Sequence, residues 1–159
     1  MDKGLIVERL KDRLREELAV TRAAASAARE GATHEEAKPE NEYDTRGLEQ
    51  SYLAGAQTAR AEALAASLSW LESFEVPALL DASPIRIGSC VVLSDGERER
   101  LYFLSEVGGG TRVDVDGSPC WVLTPESPLG TKLVGCRAGD VLEHEMRGAI
   151  LELEVTRVF

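Results

Sequence analysis

The residues of this chain with the most chemistry in them are carboxylates. Glu30, Glu35, Glu36, Glu40, Glu42, Asp44 and Glu49 crowd one short stretch, opposed there by Lys38 and Arg46. Oxygen donors suit a hard divalent cation, and Mg²⁺ is usually held by one or two carboxylates together with phosphate oxygens of a substrate. Two or three such acids on a protruding point would supply ligands to a metal held elsewhere, completing another protein's site. A plainer reading stands beside it. A turn between helices is solvated, and Glu40, Glu42 and Asp44, following Pro39, suit the positive end of a helix that starts there.

No self-sufficient catalytic constellation accompanies these acids. The chain lacks H-E-x-x-H, G-x-S-x-G, a Walker loop and a dinucleotide fingerprint. Gly108-Gly109-Gly110 has neither a lysine nor a following helix to make it a phosphate cradle, so it is expected to be a hairpin loop. Tyr102, Phe103 and Trp121 fall on strand-like segments and are expected in the core, not on a base-stacking platform. Cys90, Cys120 and Cys136 are odd in number and widely spaced, which argues against a disulfide framework or a zinc site and for buried, reduced thiols. His34 and His144 read as surface residues. The expectation is a protein that is not an enzyme and has no cofactor of its own.

The elements that must position the acids are legible in the punctuation. Five of the six prolines and ten of the fourteen glycines follow Glu75, so the two halves obey different grammars. Residues 1–76 read as two long helices. Ile6, Leu10, Leu14 and Leu18 recur at helical spacing and lead into TRAAASAARE, ending near Gly31; Leu48, Tyr52, Ala56, Ala59, Ala63, Ala66 and Trp70 form the apolar stripe assigned to the second helix, which runs to about Phe74. Joined by a turn near residues 31–42, two such stripes can bury one another as an antiparallel hairpin. About 30 residues at 1.5 Å each make an arm of about 45 Å, with the acids at its far end.

Residues 77–159 carry short β segments bounded by turn residues: IGSCVVLSDG, RERLYFLSEVGGG, TRVDVDG, PCWVLTP and AILELEVTRVF. In the last, Leu151, Leu153 and Val155 alternate with Glu152, Glu154 and Thr156, the period of a half-buried strand. One short helix is expected in SPLGTKLVGC, started by Ser127 with Pro128 at its first position and stopped near Gly135. The fold class is therefore α+β, an antiparallel helical hairpin followed by a small antiparallel sheet with one helix.

Composition limits what such a molecule meets. The chain has 159 residues, 43% hydrophobic and 29% charged, and a net charge of −10, a balance that repels the phosphate backbone of free DNA or RNA. No apolar run reaches the roughly 18 to 20 residues of a membrane span, and the N-terminus alternates charge with aliphatics. A cytoplasmic protein without a membrane partner is expected.

Two stretches resemble the Gre (GreA/GreB) transcript-cleavage factors of bacteria. Glu40-Asn41-Glu42-Tyr43, with Glu49-Gln50-Ser51-Tyr52-Leu53-Ala54-Gly55 downstream, looks like the Gre segment beginning E-N-A-E-Y at the start of the second hairpin helix. Thr124-Pro125-Glu126-Ser127-Pro128-Leu129-Gly130, continuing through Lys132-Leu133-Val134-Gly135 to Ala138-Gly139-Asp140-Val141, is similar to the S-P-L-G … L-G-x-x-x-G-D motif of the Gre C-terminal domain. Both lie in the expected order and at the expected distance.

The resemblance implies a coiled-coil hairpin that enters the secondary channel of bacterial RNA polymerase and an FKBP-like C-terminal domain that docks at the channel rim. It assigns Ser127, Pro128, Leu129 and Gly130 to partner binding at the level of the motif. It implies a monomer that meets DNA and nascent RNA only through the polymerase complex. In the family, an Asp and a Glu at the tip help hold the second catalytic Mg²⁺, which belongs to the polymerase, and orient water for hydrolysis of backtracked RNA. The Gre tip reads G-D-L-x-E-N, whereas this chain has Glu35-Glu36-Ala37-Lys38-Pro39-Glu40-Asn41. With the E-N pair aligned and a one-residue gap before Tyr43, Glu40 takes the place of the Glu and Glu36, or else Glu35, that of the Asp; Glu42 and Asp44 are in reserve. Aligned on Tyr43 without the gap, Pro39 stands where the Glu should be. A channel regulator or inhibitor that does not stimulate cleavage, a plain interaction module and a prolyl isomerase are the alternatives; few aromatics are available to line an isomerase pocket.

Overall fold

The structure, a computed structural model, describes residues 2–33, 46–78, 83–146 and 148–159. The chain order is α1 (Lys3–Thr33), α2 (Arg46–Ser73), β1 (Cys90–Ser94), β2 (Glu99–Leu104), β3 (Arg112–Val115), β4 (Ser118–Leu123), α3 (Pro128–Leu133), β5 (Val141–Met146) and β6 (Ala149–Val158). These residues form two compact units, one of Asp12–Glu72 and the other of Met1–Lys11 with Ser73–Phe159.

The first unit is the hairpin. Both helices are rich in Ala and Leu, strong helix formers, and contain no proline. They run antiparallel, since Arg15 reaches Glu72 at 3.9 Å, Arg60 pairs with Glu17, and Arg29 Nη2 donates to Thr58 Oγ1 at 2.9 Å. On α1 the buried positions are Leu14, Leu18, Thr21, Ala25 and Ala28; on α2 they are Ala54, Ala61, Leu68 and Leu71, with Gln57 and Leu64 half-buried between them. Both series step alternately by three and four residues, the a/d seam of a coiled coil. Alanines crowd the half nearest residues 34–45 and leucines the other half.

That seam corrects the face assigned to the second helix. Leu48 and Tyr52 are 57% and 72% exposed, and Ala56, Ala59, Ala63 and Ala66 also face solvent. The physical reason is the composition of α2, which places alanine on every face and so leaves the pattern little contrast. An alanine methyl has little transfer energy with which to choose a side, so Leu64, Leu68 and Leu71, meeting the leucines of α1, set the phase.

In the second unit one six-stranded sheet has the order β3-β4-β2-β1-β6-β5. All neighbours are antiparallel except β2 and β4, which are parallel. The chain leaves β2, skips one place to form the edge strand β3, and returns through the two-residue turn Asp116-Gly117 into β4. Both turn residues have positive φ, 52° and 78°, as a tight hairpin of matching twist requires. Gly108-Gly110 consequently lies in the connection from β2 to β3, and is not the hairpin loop expected, because β4 separates those strands. Two of its glycines serve close packing. A Cβ on Gly108 would come within 2.9 Å of Leu10 Cδ1, and one on Gly109 within 2.8 Å of Thr124 Cγ2.

Register sorts the core between two faces. Val91, Leu93, Tyr102, Leu104, Leu153 and Val155 lie on one face, packed with Leu129 and Leu133 of α3. Cys90, Phe103, Leu101, Cys120 and Val122 are on the other, all buried. The first turns of α1 belong with this unit: Ile6, Val7 and Leu10 are buried, Leu10 meets Gly108, and Lys3 Nζ donates to the Pro77 carbonyl at 2.8 Å. Strand β5 was not foreseen. Its sequence VLEHEM has one β-branched residue and three ionisable ones, and it forms because β6, ten residues long, offers a full partner edge.

Candidate functional site

The tip acids Glu35, Glu36, Glu40, Glu42 and Asp44, with His34, lie outside the described residues. At the described end of the hairpin, Glu30 and Glu49 approach the acidic stretch from either helix, and Gly31 allows close approach: a Cβ there would overlap the Gln50 carboxamide. Among the described residues no cluster of His, Cys, Asp and Glu could hold a metal ion, and no helix is long and apolar enough to cross a membrane.

The S-P-L-G turn is fully described, and its residues have identifiable local tasks. Ser127, extended at φ −66° and ψ 151°, caps α3: its Oγ accepts from Gly130 N at 3.1 Å and donates to the Thr124 carbonyl at 2.7 Å. Pro128 occupies the first helical turn, where its missing N–H costs nothing, and is exposed. Leu129 is 6% exposed and joins the core. Gly130 is needed for proximity, since a Cβ would overlap the Thr124 carbonyl oxygen. Thr131 Oγ1 fastens the turn further by donating to the Pro125 carbonyl at 2.9 Å.

The G-D part of the motif also shapes a turn. Gly139 has φ 92°, its N–H donates to the Val155 carbonyl at 2.8 Å, and Asp140 Oδ2 accepts from Arg137 N at 2.7 Å. Of the four motif residues, Pro128 presents apolar surface outward, Ser127 is half-buried with its hydroxyl engaged in the cap, and Leu129 and Gly130 are buried.

Beside this turn the sheet has an open concave face. Helix α3 has six residues and covers part of it; the rest is a groove of about 760 Å³ whose floor includes Tyr102, Trp121, Leu123, Leu129 and Leu151. Arg98, Arg100 and His144 stand along it, and the Arg112 guanidinium lies 5.8 Å from the centroid of the Trp121 ring, within cation–π range. Two of its lining residues are tied to the turn from β1 to β2, where Asp95 accepts from Arg98 N at 2.8 Å and Glu97 N at 3.1 Å and lies 3.7 Å from Arg100. Those backbone N–H groups, Arg98's first, hold the Asp95 carboxyl below its ordinary pKa.

Sequence reasoning placed Tyr102 and Phe103 in the core, where they are 7% and 0% exposed, but placed Trp121 there too. Trp121 is 38% exposed. The signal that could have found it is the alternation in S-P-C-W-V-L, where Cys120 and Val122 take the buried face of β4 and leave Trp121 on the other. The thiols are as expected at two positions: burial pushes Cys90 and Cys120 up to about 12, while Cys136 is half-buried.

Comparison with known proteins adds a likeness. No family model and no curated protein matches the chain. Among solved structures, it is similar to Gre-type factors. The GreA factor homolog 1 (Gfh1) of Thermus thermophilus is 25% identical, with 94% of each chain covered and a TM-score of 0.38. Thermus aquaticus Gfh1 is 23% identical over 92% of each chain, with a TM-score of 0.40. A GreA/GreB elongation factor from Nitrosomonas europaea is 21% identical over 60% of this chain and 78% of its own, with a TM-score of 0.39. At such scores the superpositions are slight, and the weight rests on the residues of this chain.

Proposed function

We propose that the protein is an accessory factor of bacterial RNA polymerase, whose hairpin enters the secondary channel and brings its acidic connection to the catalytic Mg²⁺. There it stimulates metal-dependent hydrolysis of backtracked RNA. The observation that carries the reading is the hairpin itself: two helices paired along a seam of their own, with the acid-rich stretch as the link between them. The two Gre-like motifs, in order, support the same assignment, and the rigidly capped Ser127-Pro128 turn supplies a formed surface for docking.

The chemistry in this reading belongs to the polymerase. Glu40 and Glu36, with Glu35, Glu42 and Asp44 in reserve, add carboxylate oxygens to a Mg²⁺ that the polymerase and the RNA phosphates already hold, and orient the attacking water. Preorganised charge at the developing transition state is the physical source of the acceleration. The factor is then no enzyme by itself, holds no cofactor of its own, and works as a cytoplasmic monomer.

The deciding experiment is RNA cleavage in backtracked elongation complexes, scored with polymerase binding in the same samples. Mg²⁺-dependent shortening is expected, and a Glu36→Ala, Glu40→Ala variant should lose it by about a hundredfold or more while still binding. Binding without shortening would favour a second reading, a channel regulator without cleavage. That reading has a specific basis in Pro39 and in the Glu found where the family has Asp, because positioning errors of about 1 Å abolish much of such catalysis. Absence of binding would sink both.

A further inference from the structure

We infer that Arg29 and Thr58, with Gly31 beneath Gln50, are positioning residues that fix how the two helices of the hairpin meet at the end carrying the acidic link. The inference rests on the function proposed above for what the positioning serves, and on the hairpin's own geometry for the contacts. The need for such a device follows from the seam. In the half that holds Leu14 and Leu71, large side chains interlock, and their shapes admit one axial register. In the other half the inward residues are Thr21, Ala25 and Ala28 from α1 and Ala54, Gln57 and Ala61 from α2. Rows of methyl groups pack nearly as well after one helix slides or rolls on the other, so they hold the pair together without choosing its register. Beside them a notch of about 260 Å³ opens along Ala25, Ala61 and Ala65. One turn of slippage moves a helix end by about 5.4 Å, whereas catalytic geometry tolerates about 1 Å.

Two contacts between the helices supply what the methyl groups lack. The Thr58 hydroxyl donates to the Ala54 carbonyl at 2.8 Å, which commits its one proton and leaves its lone pairs to accept. Arg29 Nη2 donates to that oxygen from the other helix at 2.9 Å. A charged donor on an acceptor of fixed direction ties one point of α1 to one point of α2. Arg29 is exposed and Thr58 half-buried, so the bond adds little to stability and its value is the register it marks. Nearer the end, the Gln50 carboxamide lies where a Cβ on Gly31 would be, and only glycine leaves room for it. Gly31 is in the last turn of α1 and Gln50 is one turn into α2. Their chain neighbours are Glu30 and Glu49, so the contact also sets the first acids on either side of the link.

The test uses the full chain with Thr58→Val, which keeps the branched shape and removes the hydroxyl, and Thr58→Ser, which restores it. Gly31→Ala is the second variant; the atoms it overlaps are the free end of a side chain, so it moves Gln50 aside without unfolding the helix. Nitroxides on Ala27→Cys and Ala56→Cys, in a Cys136→Ser background, read the spacing of the helices by electron spin resonance, while RNA cleavage in backtracked complexes is titrated with each factor. One narrow distance is expected in the unsubstituted and Thr58→Ser proteins, and a shifted or broadened one in Thr58→Val and Gly31→Ala. Cleavage at saturating factor should fall about tenfold in Thr58→Val, with the half-saturating concentration within about twofold, and Thr58→Ser should recover the rate.

Unchanged distances in both variants overturn the inference. So does full cleavage by a Thr58→Val protein whose distance has shifted. A rate lost only through weaker binding overturns it too, because that is a docking defect and not a positioning one. Failure of the proposed function shows separately: if the unsubstituted protein neither binds polymerase nor shortens RNA, that reading falls, while the nitroxide distances still decide whether these residues set the spacing of the helices.

Discussion

At the scale of single residues, the S-P-L-G turn has structural tasks of its own. Gly130→Ala forces a methyl into the Thr124 carbonyl, and the clash is with backbone, so it should destabilise the protein by about 2 kcal/mol or more in urea unfolding. Ser127→Ala removes a cap and should cost about 1 kcal/mol. Binding defects in such variants must therefore be scored against stability. Pro128 is exposed, and its substitution isolates surface from scaffold.

The thiols offer a second residue-scale check. Cys90 and Cys120 are pushed up to about 12, chiefly by burial, whereas an unfolded thiol ionises near about 8.5. The unfolded chain then releases protons first. Stability is fully present below about pH 8.5 and declines as pH rises toward 12, a slope that Cys90→Ala, Cys120→Ala should flatten in urea titrations at stepped pH. In the native protein at pH 8 a thiol reagent should find Cys136 alone, and all three cysteines after denaturation. For Asp95 the sign is opposite. Its lowered carboxyl favours the folded turn at pH above about 3.9, and that preference is lost as pH falls through the depressed value.

At the scale of elements, the hairpin seam makes a comparison that the sequence pattern alone would invert. Ala61 is 8% exposed and Ala63 faces solvent. Ala61→Glu should destabilise the hairpin by about 2 to 4 kcal/mol, through a charge placed against packed helices, while Ala63→Glu should stay within about 0.5 kcal/mol. Thermal unfolding followed by circular dichroism reads both. Equal effects would mean that α2 is rotated from the face described. For β5, the outward acids Glu143 and Glu145 suit a sheet edge, where charge discourages pairing with a second chain, and the Lys132 ammonium donates to the Glu143 carbonyl.

At the scale of the molecule, the residues before Asp12 matter to the sheet more than their place in the chain suggests. Ile6 and Leu10 are 0% exposed within the sheet-bearing unit. Leu10→Ala should destabilise it by about 2 to 5 kcal/mol, with faster labelling of Cys90 and Cys120. A fragment of residues 77–159 alone should bind hydrophobic dyes and unfold with little cooperativity. A fragment as stable as the full chain would show that the first turns of α1 contribute nothing to the core. The net charge of −10 acts at this scale too, setting a negative long-range field around the chain.

The sequence by itself determined the two-part grammar, both long helices to within a few residues, the capped turn at Ser127 and five of the six strands. These are local properties: propensity, capping chemistry, punctuation and the two-residue alternation of Leu151, Leu153 and Val155 all act over a few residues of chain. Only the tertiary structure decided which face of α2 is buried, because alanine on every side leaves that choice to the leucines across the seam. It alone decided that β2 and β4 are parallel neighbours, which places Gly108-Gly110 in a crossover, since strand order is set by distant pairings. It also decided that Trp121 lies in an open groove with Arg112 over its ring. A tryptophan on a strand is apolar wherever it sits; whether anything covers it depends on the length of α3, six residues on a six-stranded sheet.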